Sequence, residues 1–110
     1  MEERRRHPRQ ATQLQLELFE RHSGMRLGRL ADLSLDGFML FSESPLEADQ
    51  VIECRLQSAE PLVGVESIIF AADCLWSRPG ADGQHCWAGY HIIDMAEDQA
   101  AALQRLLGHL

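Results

Sequence analysis

The 110-residue chain contains no lysine: all ten of its basic residues are arginine. Every cation therefore carries a planar fork that can bond a phosphate at two points or lie flat on a purine, and none is the compact point charge of an ammonium. Acidic residues outnumber basic ones by 17 to 10, for a formal net charge of -7 and a pI near 5.1. A nonspecific nucleic-acid binder needs a broad positive field to release counterions from many phosphates, so nucleic acid is not an expected partner. Long apolar runs are missing as well. No stretch approaches the roughly 18 consecutive apolar residues of a membrane helix, and no apolar segment follows the charged N-terminus. Neither membrane insertion nor a signal peptide is expected, and the cytoplasm is the default location. The cysteines lack pairing: Cys54, Cys74 and Cys86 are odd in number, have no C-x-x-C spacing and each sit in an apolar run. They read as small core side chains rather than metal ligands or a nucleophile.

What is present is a two-residue alternation. Leu14, Leu16 and Leu18 alternate with Gln13, Gln15 and Glu17, the period of a strand with one buried face. Arg21 to Gly24 reads as a turn, Met25 to Ser34 as a second strand with Gly28 marking a bulge or close approach, and Gly37 to Phe41 as a third. Val51 to Leu56 sets Ile52, Cys54 and Leu56 on one side, and Pro61 is expected to end that run. Val65 to Trp76, a turn at Pro79 to Gly83, and His85 to Ile93 complete six strands, the pattern of a closed antiparallel barrel or sandwich. Trp87 is expected to fill its interior. Ala96, Ala100, Leu103, Leu106, Leu107 and Leu110 then follow helical spacing, with Asp94 and Glu97 in the places of a capping box. The helix stripe is expected to cover an end or face of the barrel.

One region departs from the acidic average. Residues 1 to 10 carry Arg4, Arg5, Arg6 and Arg9 against Glu2 and Glu3, a local balance of +2 that leaves about -9 on the rest of the -7 chain. Arg5-Arg6-His7-Pro8-Arg9 has the form R-x-x-x-R, and Asp32-Leu33-Ser34-Leu35-Asp36-Gly37 has the form D-x-S-x-x-G. An arginine cluster alone is often a solvated tail, and Asp-x-Ser-x-x-Gly alone is common turn chemistry. In this order, on a six-strand chain of this length with a terminal helix, they closely resemble the PilZ domain, a bacterial receptor for the second messenger cyclic di-GMP.

The resemblance implies a mainly β fold, a six-stranded antiparallel β-barrel with a C-terminal α-helix, in one domain. It divides into an arginine-rich N-terminal strap at 1–10, expected to be flexible, a barrel at 11–93 and a helix at 94–110. It also implies a ligand whose chemistry fits these residues. Guanine O6 and N7 suit an arginine fork, and guanine N1 and N2 suit a carboxylate. Arg5 and Arg9 are expected on the phosphates and guanine edges, Asp32 on guanine N1 or N2, and Ser34 on a further hydrogen bond. Gly37 would give the backbone a positive φ or admit the ligand where a Cβ would clash. Arg4, directly before the motif, fits the added charge of a second, intercalated cyclic di-GMP. Trp76 either packs at the rim or stacks on guanine, with Arg78 close by, while Arg6 points to solvent if the segment is extended.

The expected function is a cyclic di-GMP receptor or adaptor whose strap rearranges on binding and signals to an unidentified effector protein, in motility, pilus, exopolysaccharide or biofilm machinery. No cofactor, metal or enzymatic activity is expected, since no carboxylate-rich metal cluster stands beside the motifs. The alternative, from another class, is a constitutive protein-interaction barrel whose arginines bind an acidic partner.

Overall fold

The computed structural model describes residues 10–11, 15–43, 46–62 and 65–108. Among these the chain forms seven strands, β1 (Gln10–Ala11), β2 (Leu16–Glu20), β3 (Arg26–Leu33), β4 (Gly37–Ser42), β5 (Val51–Leu62), β6 (Val65–Pro79) and β7 (Cys86–Asp94), and one helix, α1 (Glu97–Leu107). Pairing runs β3-β2-β5-β6-β7-β4, and β4 returns to β3, so six antiparallel strands close on themselves. The two-residue β1 sets Gln10 opposite Leu33 and Ala11 opposite Asp32. The other edge of β3 at Asp32 and Leu33 is taken by β4, so β1 extends the line of β2.

Alternation explains the core. Leu16 and Leu18 of β2, Phe38 and Leu40 of β4, Cys54 and Leu56 of β5, Ile68, Phe70, Ala72 and Cys74 of β6, and Ala88 and Tyr90 of β7 all point inward and are buried. Phe38 stacks on Tyr90 with ring centres 4.9 Å apart and meets Phe70 edge-on at 5.7 Å. All three cysteines are buried free thiols, and burial pushes the Cys54 thiol up to about 12. Gly28 sits where β3 passes close to β4, and a methyl added there would overlap the Phe41 carbonyl.

The expected boundaries need three corrections. Pro61 does not end β5, which continues to Leu62; pairing with β6 is irregular between Gln57 and Leu62, the setting in which a strand tolerates the missing N–H of proline. Asp94 is not a helix cap. It is the last residue of β7, paired with Ala71, and the N-cap is Ala96, with no side-chain cap bond. Trp87 does not fill the barrel: Cys86, Ala88 and Tyr90 take the inward positions of β7, which leaves Trp87 half-buried outside. The helix lies against β6, burying Ala102, Leu103 and Leu106 in the core. Its Gln99 Oε1 accepts the Ile69 N–H at 2.8 Å, beyond the last β6–β7 pair at Ala71.

Candidate functional site

Two β-bulges decide what the outer face of the barrel carries. Between Leu30 and Asp32 the β3–β4 register slips by one, with Ala31 as the extra residue; between Cys74 and Trp76 the β6–β7 register slips likewise, with Leu75 as the extra residue. In an unbroken strand Asp32 would share the inward face of Leu30, and Trp76 that of Cys74. A one-residue slip reverses the side, so each bulge turns its next residue outward. Asp32, Met39, Gly89 and Trp76 then form one row across β3, β4, β7 and β6, and Ala11 of β1 continues it beyond Asp32.

Within this row Asp32 does structural work. Its Oδ1 accepts the Met39 N–H at 2.9 Å, so the carboxylate joins the ladder where the bulge has interrupted it. At the far end, the indole of Trp76 lies against Gly89, and the guanidinium carbon of Arg78 stands 4.8 Å from its ring centre.

The D-x-S-x-x-G segment is the β3–β4 turn. Ser34 is 1% exposed, and its hydroxyl lies 2.7 Å from Asp36 Oδ1 and 3.1 Å from the Gly37 carbonyl, either of which can take its proton. The same oxygen accepts the Gly37 N–H at 3.2 Å, and the Ser34 N–H donates to the Gly37 carbonyl at 2.9 Å. Ser34 therefore holds the shape of the turn. The turn is tied to the barrel through the Asp36 carbonyl, which accepts the Ile92 N–H at 2.8 Å. Gly37 is not among the described glycines with positive φ, which are Gly24, Gly28 and Gly83.

A second outer row runs beside the first: Arg29, Phe41, Trp87 and Arg78 are successive cross-strand partners. Phe41 is its hub, with Trp87 at 4.6 Å, His85 stacked at 4.8 Å and the Arg29 guanidinium at 5.7 Å. Arginines resting on rings keep their forks available to an anion or a base. A hollow of about 180 Å³ lined by Ser77, Arg78, Pro79 and His85 borders this row. A larger one, about 410 Å³, lies by the helix between Arg21, Glu53, Asp94 and Gln99, and none of the described residues expected to bind ligand lines it.

The sequence matches the family model of the PilZ domain over residues 3–109. The chain belongs to the PilZ family. Solved structures with the same fold include the Bacillus subtilis inhibitor of motility MotI/DgrA (14% identity, TM-score 0.72, covering 97% of this chain and 51% of that one). The K. pneumonia MrkH–c-di-GMP complex is similar at 19% identity and TM-score 0.75, over 96% of this chain and 51% of that one. The PilZ domain of CeSA from a cellulose synthesizing bacterium matches at 17% identity and TM-score 0.61, over 93% and 96%. This PilZ chain thus spans about half the length of MotI and of MrkH. No curated protein matches it.

Of the residues expected to bind ligand, the PilZ barrel brings Asp32 and Trp76 into one row, with Ser34 and Gly37 in the adjoining turn. Arg4, Arg5 and Arg9, and with them most of the strap, lie outside the described residues. Gln10, which follows Arg9 in the chain, is placed at Leu33 in β1. Sequence reasoning missed Arg29, Phe41, His85 and Gly89. Their signal was available only through register: alternation marks them as outward, but not as neighbours.

Proposed function

We propose that the chain is a cyclic di-GMP receptor whose ligand lies on the outer face of the barrel, over Asp32 and beside Trp76. The observation that carries this reading is the shared row of Asp32 and Trp76, with β1, into which the arginine segment leads, docked beside Asp32. The kinship with MrkH, solved in complex with c-di-GMP, supports the same ligand. Arg5 and Arg9 neutralise the phosphodiesters and grip guanine O6 and N7, and Asp32 accepts from guanine N1 or N2. Ser34 acts through the turn it holds rather than by touching the ligand. Gly37 keeps the entrance of β4 free of a side chain, and Arg4 serves a second, intercalated ligand molecule.

Binding then orders residues 1–10 over the ligand, and the new surface is read by an effector protein. Titration calorimetry with cyclic di-GMP, cyclic di-AMP and GTP tests the core of the reading. Cyclic di-GMP should bind most tightly, since adenine presents a donor where guanine has O6. The double variant Arg5→Ala/Arg9→Ala should lose at least about 100-fold in affinity, two charge-assisted contacts each being worth roughly tenfold or more. Wild-type protein that fails to bind would overturn the reading. One ligand per chain would reject the role given to Arg4, and amide exchange of residues 1–10 unchanged at saturation would reject the ordering of the strap.

A further inference from the structure

Gly89 lies in the middle of the outer row, between Met39 on one side and Trp76 on the other. It is buried although it faces outward, and what buries it is the indole. A methyl built on Gly89 would stand 3.0 Å from Trp76 Cδ1 and closer still to Nε1 and Cε2. Real Cβ atoms do not approach so near, and the obstacle is a ring rather than the loose end of a flexible chain. The Arg78 guanidinium rests 4.8 Å from the ring's centre, and Trp76 follows directly on the Leu75 bulge that turns it outward. Any side chain at position 89 would lift the indole off the sheet, away from the level of Met39 and Asp32.

Building on the cyclic di-GMP reading, we propose that Gly89 is a positioning residue of the site: the absence of a side chain there makes a seat that holds the Trp76 ring at the height where a base held by Asp32 can stack against it. The seat, the ring and the carboxylate belong to three strands, and the two bulges bring them into one row.

A cycle of four proteins tests this: wild type, Gly89→Ala, Trp76→Ala and the double variant, each titrated with cyclic di-GMP well below its melting midpoint. Base–aromatic stacking of ordinary strength predicts that each single variant loses about tenfold or more in affinity. With the ring gone the methyl displaces nothing, so the double variant should bind no worse than Trp76→Ala and should melt with it. Penalties that multiply in the double variant, or a Gly89→Ala protein that binds like wild type, overturn the proposal. If Gly89→Ala does not fold, the double variant decides: folded and binding like Trp76→Ala it supports the seat, and unfolded it overturns it, because the damage then does not depend on the ring. Wild-type protein that does not bind cyclic di-GMP overturns the functional reading and this inference with it. Wild-type binding with multiplied penalties overturns this inference alone.

Discussion

On the side of the barrel formed by β2, the start of β3 and β5, charged groups meet charged groups: Arg26 pairs with Glu17 and His22 with Glu53. Across β3, β4, β7 and β6, Arg29 rests on Phe41 and Arg78 on Trp76, as Arg55 rests on Phe19 on the first side, and His85 pairs with Asp82. Pairing differs in what the bulges redirect. β2 and β5 run in unbroken register from Leu16–Ser58 to Glu20–Cys54, and β2–β3 slips once, at Leu27 beside Gly28, whereas β3–β4 and β6–β7 slip at Ala31 and Leu75 and there turn Asp32 and Trp76 outward. A guanidinium neutralised by a carboxylate has little left for an anion, while one lying on a ring keeps its donors. A regular ladder fixes the barrel, and a bulge redirects one side chain at a small local cost. The first side spends Arg26 on a carboxylate, and the second turns Asp32 and Trp76 outward through its two bulges.

Substitutions should separate the two sides. The largest effect on stability belongs to neither face but to the core beneath them: Leu103→Ala, buried where the helix meets β6, should cost about 2–5 kcal/mol. The melting midpoint should drop by about 4 °C or more per kcal/mol, while the affinity of the folded fraction for cyclic di-GMP stays unchanged. Asp32 sharpens the contrast because it serves both purposes. Asp32→Asn keeps an oxygen that can accept the Met39 N–H and should melt close to wild type, yet lose about tenfold or more in affinity as the charge on guanine is removed. Asp32→Ala should lose that affinity and also up to about 3 kcal/mol of stability, as the Met39 N–H is left without this acceptor. Equal melting of the two variants would refute the structural half of the argument. Ser34→Ala should cost about 1–3 kcal/mol through the turn, with affinity falling only as far as the turn loosens.

The core was the legible part. Period-two alternation found the strands of the barrel and their inward leucines, and helical spacing found α1, because a residue's burial there depends only on its own strand. The site was legible as chemistry but not as geometry. Asp32 and Trp76 were singled out for what their side chains can do, yet strict alternation would have buried both, since Leu30 and Cys74 point inward two residues earlier. Bulges at Ala31 and Leu75 have no local signature in an alternating run, being set by how neighbouring strands meet. Trp87 was misplaced for a related reason: a large aromatic suggests core, but Cys86, Ala88 and Tyr90 had already taken the inward positions. Gly89 was silent, because a glycine that serves as a seat is recognised only once the ring upon it is seen.

Among the cysteines, burial gives a check on the interior rather than on either face. With its thiol held near 12 by burial, Cys54 should resist alkylation at pH 8 for as long as the barrel stays closed, so that labelling reports unfolding and not thiol chemistry. Thiol labelling faster than unfolding would mean that the interior opens locally.

The smallest effect tests the comparison most directly. The His22 hydrogen bond, aided by the charge of His22, holds the Glu53 carboxyl below its ordinary value of 4.5. A depressed carboxyl contributes stability that is present above its unfolded value and is lost as the pH falls through the lower, folded one. Both groups are exposed, so solvent and salt screen the pair and the contribution is small. Melting wild type and Glu53→Gln from pH 7 down to pH 3 should therefore show curves that differ slightly at neutral pH and converge in acid. At pH 7 the affinity for cyclic di-GMP should be the same in both proteins, because Glu53 faces away from the row of Asp32 and Trp76. An affinity loss in Glu53→Gln as large as that of Asp32→Asn would mean that the ligand reads the whole charge of the barrel, and the division between a paired side and a presenting side would fall.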